Sequence, residues 1–233
     1  MNPKISQVSE THLIVYFGEK IDTQLAEEIG AASELIRRRF GNMLREVVPS
    51  YTSVLIEFHP LKTDAASLTK SLRETLANRD AEITSSAGKL ITLPVYYAPE
   101  TGPDLPLLAK SKGMSVDDVI KIHSSTVYTV CAIGFAPGFA FLAPVDARIA
   151  SPRHTTPRVQ IPAGSVGIAD TQTAVYPTQS PGGWQIIGNS PVSLFDPLRE
   201  PMMPFQAGDK ICFKPINKET FLRAGGQLCL DWK

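Results

Sequence analysis

One-sided charge is missing from this chain. Its 23 lysines and arginines are matched by 23 aspartates and glutamates, for a formal net charge of zero. A nucleic-acid-binding surface needs a basic surplus, and a solvated tail needs a block of like charge. With neither present, nucleic acid is not an expected partner. Long apolar runs are missing too. Leu13 to Phe17 in "MNPKISQVSETHLIVYFGEK" is too short for a signal-peptide core. No stretch approaches the roughly 20 apolar residues that cross a bilayer, so no membrane association is expected. Cysteine is scarce: Cys131, Cys212 and Cys229 are odd in number and far apart. That argues against a disulfide framework and for a reduced, cytoplasmic protein.

Several catalytic signatures are absent as well. There is no G-x-x-x-x-G-K-[ST] phosphate loop; Gly88-Lys89 is followed by Leu90 and reads as a turn into a strand. The four histidines (12, 59, 123 and 154) lack H-E-x-x-H or C-x-x-C company, so no metal site is expected. "PAGSVG" imitates a nucleophile elbow, yet Ala163 stands where G-x-S-x-G requires glycine, which argues against Ser165 as a nucleophile. "SLTK" at 67–70 has no S-D-N or K-T-G partner and reads as helix surface. No residue is therefore assigned as catalytic.

What is present is an ordinary globular composition: 233 residues, 43% hydrophobic and 20% charged, enough for one large or two modest domains. "HLIVYFG" (12–18) reads as a strand. Leu25, Ile29, Ala32, Ile36 and Phe40 fall on one face of a helix over 23–40, with Arg37, Arg38 and Arg39 at its solvated end. "YTSVLIEF" (51–58) is a second strand, Leu68, Leu72 and Leu76 mark a second helix, and "KLITLPVYY" (89–97) a third strand. Strand–helix–strand–helix–strand predicts a ferredoxin-like α/β sandwich, taken here as residues 1–98.

Residues 99–233 have another character. "GPDLPLLAKSKG" reads as a short helix ended by Gly113, and Ser115 with Asp118 forms a capping-box pattern ahead of "VIKIH". His123 at that helix's end is expected to complement its dipole; a catalytic role is the alternative. Beyond it, β-prone pieces ("VYTVCAIG", "VQIPAG", "SVGIAD", "TAVYP", "WQIIG", "VSLFD", "KICFKPI") alternate with Pro and Gly turns, which predicts a barrel or sandwich.

Residues 134–196 hold the candidate site. "GFAPGF" has a type II turn signal at Pro137-Gly138, with Phe135 and Phe139 on either side; a core-plugging hairpin is the alternative reading. "SPRHTTPR" holds Arg153 and Arg158 in proline-stiffened chain, ready to grip a carboxylate or phosphate in bidentate fashion, unless they pair internally with Asp146 or Asp170. Gln172, Gln179 and Trp184 follow, the tryptophan after Gly182-Gly183 serving as stacking platform or core anchor. Arg153, Arg158, Gln172, Gln179, Trp184 and Phe139 are the candidate substrate-binding residues.

The strings "GF-PGF-FL", "IPAGSVGIA", "VYP--SPGGWQIIG-SP--LFDP" and "GD-I-F-PI" resemble the family that takes in the B subunit of bacterial 5-oxoprolinase, allophanate hydrolase subunit 1 and a sporulation histidine-kinase inhibitor. The resemblance runs from about Tyr51 to Ile216 and is densest over 127–216. It implies an N-terminal α/β domain and a C-terminal cyclophilin-like β-barrel. It further implies one component of an ATP-dependent 5-oxoprolinase, inactive alone, that opens 5-oxo-L-proline to L-glutamate. The implied partners are a second barrel-type subunit (C-type) and a third, A-type one, with ATP, accompanied by Mg2+, as co-substrate. A histidine-kinase regulator and an allophanate hydrolase or urea-carboxylation component are the alternatives. The family commonly carries arginine where Asn189 stands, and glycines where Ala143-Pro144 and Asp170-Thr171 stand.

Overall fold

The computed structural model describes residues 3–20, 22–78, 88–229 and 231–232. They divide into two compact units: residues 1–89 with 206–209, and residues 90–205 with 210–233. In the first unit β1 (Lys4–Gln7), β2 (His12–Tyr16), β3 (Leu44–Pro49) and β4 (Ser53–Phe58) form an antiparallel sheet in the order β1-β2-β4-β3. Leu13 and Val15 of β2 and Val54 and Ile56 of β4 alternate onto one face and are wholly buried. That face is covered by α1 (Thr23–Phe40) and α2 (Ala65–Ala77), whose Ile29, Ala32, Ile36, Leu68, Leu72 and Leu76 fill the core. Both helices start where a carboxylate meets an orphan N–H: Asp22 accepts from Gln24 N at 2.7 Å and Asp64 from Ser67 N at 2.9 Å. Two helices on one sheet form the sandwich that the sequence predicts, but two of its four strands, β1 and β3, were not read from the sequence. The strand expected at 89–97 is not in this sheet, whose edge beside β2 is β1.

The displaced segment is the first strand of the second unit. β5 (Leu90–Val95) runs parallel to β13 (Lys210–Pro215), paired from Leu90↔Lys210 to Val95↔Pro215. The division therefore falls after Lys89 and not at residue 98. The sheet continues through β6 (Val127–Ile133), β7 (Ala140–Ala143), β10 (Gln172–Val175), β9 (Ser165–Ala169) and β12 (Gln185–Asn189), giving the order β12-β9-β10-β7-β6-β13-β5. Its two edges meet. Tyr96, just past β5, exchanges backbone hydrogen bonds of 2.9 and 3.0 Å with Asn189 of β12. This closes a seven-stranded barrel, the architecture the resemblance implies. A separate ribbon pairs β8 (Arg158–Ile161) with β11 (Ser180–Gly182). "VSLFD" (192–196) forms no strand; it is an extended loop that buries Leu194.

The barrel core gathers Leu93, Val95, Tyr128, Val130, Leu142, Val166, Ile168, Val175, Ile187, Ile211 and Phe213, joined by residues of α3 (Leu105–Ser111) and α4 (Val116–Ser125). The predicted capping box is formed, Asp118 N donating to Ser115 Oγ at 3.1 Å and Ser115 N to Asp118 at 3.2 Å. His123 is not at a solvated helix end. It is wholly buried and stacked on Phe213 at 4.7 Å, and burial pushes its pKa down to about 3. Thr173 Oγ1 donates to the Gly167 carbonyl at 2.9 Å and so accepts from His123 Nε2 at 3.0 Å, while Tyr97 donates to Nδ1 at 2.8 Å. A neutral ring has no charge to offer the dipole, so the expected role gives way to a structural one.

Candidate functional site

The loop 134–139 folds as the sequence predicts at its turn. Phe139 N donates to Ala136 O at 3.0 Å, and Gly138 takes φ 81°, open to glycine without strain. Its two phenylalanines part company. Phe139 is 2% exposed and meets Phe141, Tyr176 and Trp184 edge-on, with ring centroids 4.9, 5.3 and 5.8 Å away. Phe135 is 68% exposed, its backbone held at φ 76°, with its ring against Phe139. The hairpin reading thus holds for one residue of the pair. Alternation explains the cluster: Val166 and Ile168 of β9 point into the barrel, while Ala169 points outward to join Phe139, Tyr176, Trp184 and Ile186. Trp184 is 4% exposed and is therefore a core anchor with a thin exposed edge. A Cβ at Gly182 would collide with the Tyr176 hydroxyl, so the glycine pair serves close packing against the protein itself.

The two arginines are deployed differently. Arg158 grips Asp104 with both terminal nitrogens, at 2.8 and 2.7 Å. Asp104 is 2% exposed, also accepts from Ile186 N at 2.7 Å, and lies 3.2 Å from His154 Nε2. Internal pairing was one expected alternative; its partner is Asp104, and not Asp146, which binds Arg148 at 2.6 Å, or Asp170. A guanidinium neutralised by a buried carboxylate is unavailable to a substrate anion. Arg153 is exposed, lies over the Trp184 ring at 5.6 Å, and makes no ion pair with any described residue. Gln172 is half-buried on β10 and Gln179 is exposed.

Gln179 belongs to a different place: a cleft of about 380 Å³. Its walls are Pro162–Gly164, Asn189–Ser193 and Gly225–Gln227, closed by Pro177 and Gln179. Gly164 sits at φ 80° with Ser190 O and Asn189 Oδ1 where a Cβ would project, so a side chain there would block the wall. Asn189 is 5% exposed and donates from Nδ2 to Ala163 O at 2.9 Å. Directly opposite it in the β9–β12 register is Ser165, wholly buried, whose hydroxyl has no hydrogen-bond partner. Ser165 opens a strand, not the helix that an elbow nucleophile requires.

The six candidates therefore do not converge. Phe139, Trp184 and Arg153 share the aromatic face, Arg158 is tied to Asp104, and Gln179 alone lines the cleft. Sequence reading missed Asp104, which sits at the N-cap position of α3 without making a cap hydrogen bond. An acid there reads as a helix cap, and only the fold reveals that it faces Arg158. Among the described residues no group of three or more His, Cys, Asp or Glu could hold a metal ion, and no helix is long and apolar enough to cross a membrane.

Comparison with known proteins follows the same lines. The carboxyltransferase domain, subdomain C and D, matches residues 3–205. The chain is 37% identical to the B subunit of 5-oxoprolinase from Bacillus subtilis, covering 94% of this chain and 95% of that one. It is 23% identical to urea amidolyase of Saccharomyces cerevisiae over 94% of this chain but only 14% of the relative. Among solved structures, TTHA0988 superimposes with a TM-score of 0.77 at 32% identity over 89% of this chain. This chain spans only 40% of that longer protein.

Proposed function

The chain belongs to the carboxyltransferase-domain family, subdomains C and D, and on that basis we propose that it is the B component of an ATP-dependent 5-oxoprolinase. The observation that carries this is the near end-to-end similarity to the B subunit of a 5-oxoprolinase, at 37% identity. The chemistry has an intelligible order. A lactam carbonyl is resonance-stabilised, so transfer of the γ-phosphoryl of ATP to its oxygen creates an electrophilic carbon. Water adds there, the ring C–N bond breaks, the nitrogen takes up a proton, and phosphate departs, leaving L-glutamate and ADP. Mg2+ accompanies the ATP.

The residues of this chain fit a role shared with partners. Its one wholly buried histidine is neutral and sealed, Ser165 opens a strand and has no base beside it, and Arg158 is occupied by Asp104. Cations that stabilise developing charge must be free to meet it. Arg153 is free in that sense; the remaining positive charge comes from a second, barrel-type subunit and a third subunit in the cytoplasm. The test is reconstitution. The chain alone should release no phosphate. Mixed with its A-type and C-type partners, it should release phosphate and glutamate only when ATP and 5-oxoproline are both present. Absence of turnover from the full mixture would overturn the proposal. Turnover with a urea-derived carboxylate instead would favour the reading suggested by the urea amidolyase similarity. Inhibition of a histidine kinase without turnover would favour a regulator.

A further inference from the structure

Every side chain lining the cleft of Pro162–Gly164, Asn189–Ser193 and Gly225–Gln227 is uncharged. This is unusual for a polar cavity on a chain whose composition is one-fifth charged. Its polar side chains are the carboxamides of Asn189, Gln179 and Gln227 and the hydroxyls of Ser190 and Ser193, with Asn189 Nδ2 already donating to Ala163 O and Ser193 Oγ to Phe195 O. An anion entering such a cleft would shed water without meeting a counter-charge, which is costly. A neutral group with one N–H to give and one carbonyl to offer loses nothing comparable, because carboxamides both donate and accept.

We propose that this cleft takes an uncharged secondary amide: the lactam ring of the substrate, on the functional reading above, with its carboxylate left at the mouth for a cation of a partner chain. The volume of about 380 Å³ lies in the range of small-ligand pockets and leaves room for a five-membered ring. Asn189 marks the cleft as built. Asn189 is held on both sides: its backbone closes the barrel against Tyr96, and its Nδ2 is bound to Ala163 O at 2.9 Å. Its carboxamide is thus fixed before any ligand arrives, with Oδ1 at the Gly164 wall. Ser165, opposite Asn189 in the register, lies behind the wall and does not line the cleft. Gly164, Gly225 and Gly226 bring main chain to the cavity surface, so that peptide groups line it beside the side chains.

The full chain would be titrated separately with 2-pyrrolidinone, N-methyl-2-pyrrolidinone and 5-oxo-L-proline, with amide chemical shifts as readout. The neutral lactam should saturate at nearly the same concentration as 5-oxoproline, shifting the resonances of Gly164, Asn189 and Ser190. The N-methyl compound, which lacks the donor, should bind roughly tenfold more weakly, the equivalent of one lost hydrogen bond. Asn189→Leu should abolish the response; should that variant fail to fold, Gln179→Ala on the exposed loop should weaken it measurably. Saturation by 5-oxoproline without saturation by 2-pyrrolidinone would overturn the inference, since the carboxylate would then be the group this chain grips. So would the absence of binding by both. The functional reading fails separately: turnover by the reconstituted complex without lactam binding to this chain sinks only the cleft assignment. Lactam binding with no turnover sinks only the oxoprolinase.

Discussion

The aromatic face and the cleft lie on the same barrel and are built on opposite plans. The aromatic face and the 153–158 segment are rich in ring systems and charge, yet most of that chemistry is spent inward: Asp104 holds Arg158, and Phe139 and Trp184 are core. The cleft is poor in charge and lined by small polar groups, of which Asn189 Nδ2 and Ser193 Oγ each keep a hydrogen bond to the protein while Gln179 is exposed. On the face, Arg158, Phe139 and Trp184 are consumed by the fold and Arg153 is left exposed. Residue type points to the aromatic face, and the cleft proposal points the other way.

The comparison breaks most readily at Phe139. Truncation to alanine removes a ring wedged among four aromatic neighbours and should cost about 3–5 kcal/mol by urea denaturation. A loss well under that range, accompanied by weakened substrate affinity in the complex, would return Phe139 to the binding column. Arg158→Ala comes next. It leaves the carboxylate of Asp104 buried without a cation and should destabilise by roughly 3 kcal/mol. Combining it with Asp104→Asn should recover part of that loss, a coupling that a double-mutant cycle reads directly. A merely catalytic arginine would show no such rescue, and its removal would leave the unfolding midpoint in place.

How much of this was legible beforehand depends on the range of the interaction. α1 was readable from end to end, since a five-residue apolar stripe ending in Phe40 is a local signal. The Ser115–Asp118 box and the Pro137-Gly138 turn are equally local and appeared as written. β5 was legible as a strand, but its parallel partner β13 lies 120 residues away, so its membership was misassigned. Arg158 and Asp104 are separated by 54 residues, and no spacing rule joins them. The cleft was least visible, because Pro162–Gly164 and Asn189–Ser193 carry no side chain that announces chemistry. They are brought together beside the barrel's closure at Asn189.

His123 offers a smaller and pH-dependent effect. Its folded pKa is pushed down to about 3 by burial, against an unfolded value near 6.5. Between those limits the unfolded chain binds a proton that the folded chain refuses, so stability is full above about pH 6.5 and falls as the pH drops. The slope contributed by this one ring approaches about 1.4 kcal/mol per pH unit. Unfolding midpoints measured from pH 7 to pH 5 should show it, and His123→Gln should flatten the profile. A slope unchanged in the variant would remove His123 from the account.

Arg153 gives the smallest expected change in stability and the sharpest test of the contrast between the two regions. Its guanidinium is exposed over the Trp184 ring at 5.6 Å, and an exposed cation–π contact of this kind contributes about 0.5–1 kcal/mol. Arg153→Ala should therefore shift the unfolding midpoint very little. Any larger consequence must then be read in the assembled enzyme. If the aromatic face meets a substrate anion, kcat/KM of the reconstituted complex should fall by one or more orders of magnitude, the scale of a lost charge contact in a transition state. Kinetics that stay at the wild-type level would show that the face contributes structure alone. Recognition by this chain would then rest on the uncharged cleft.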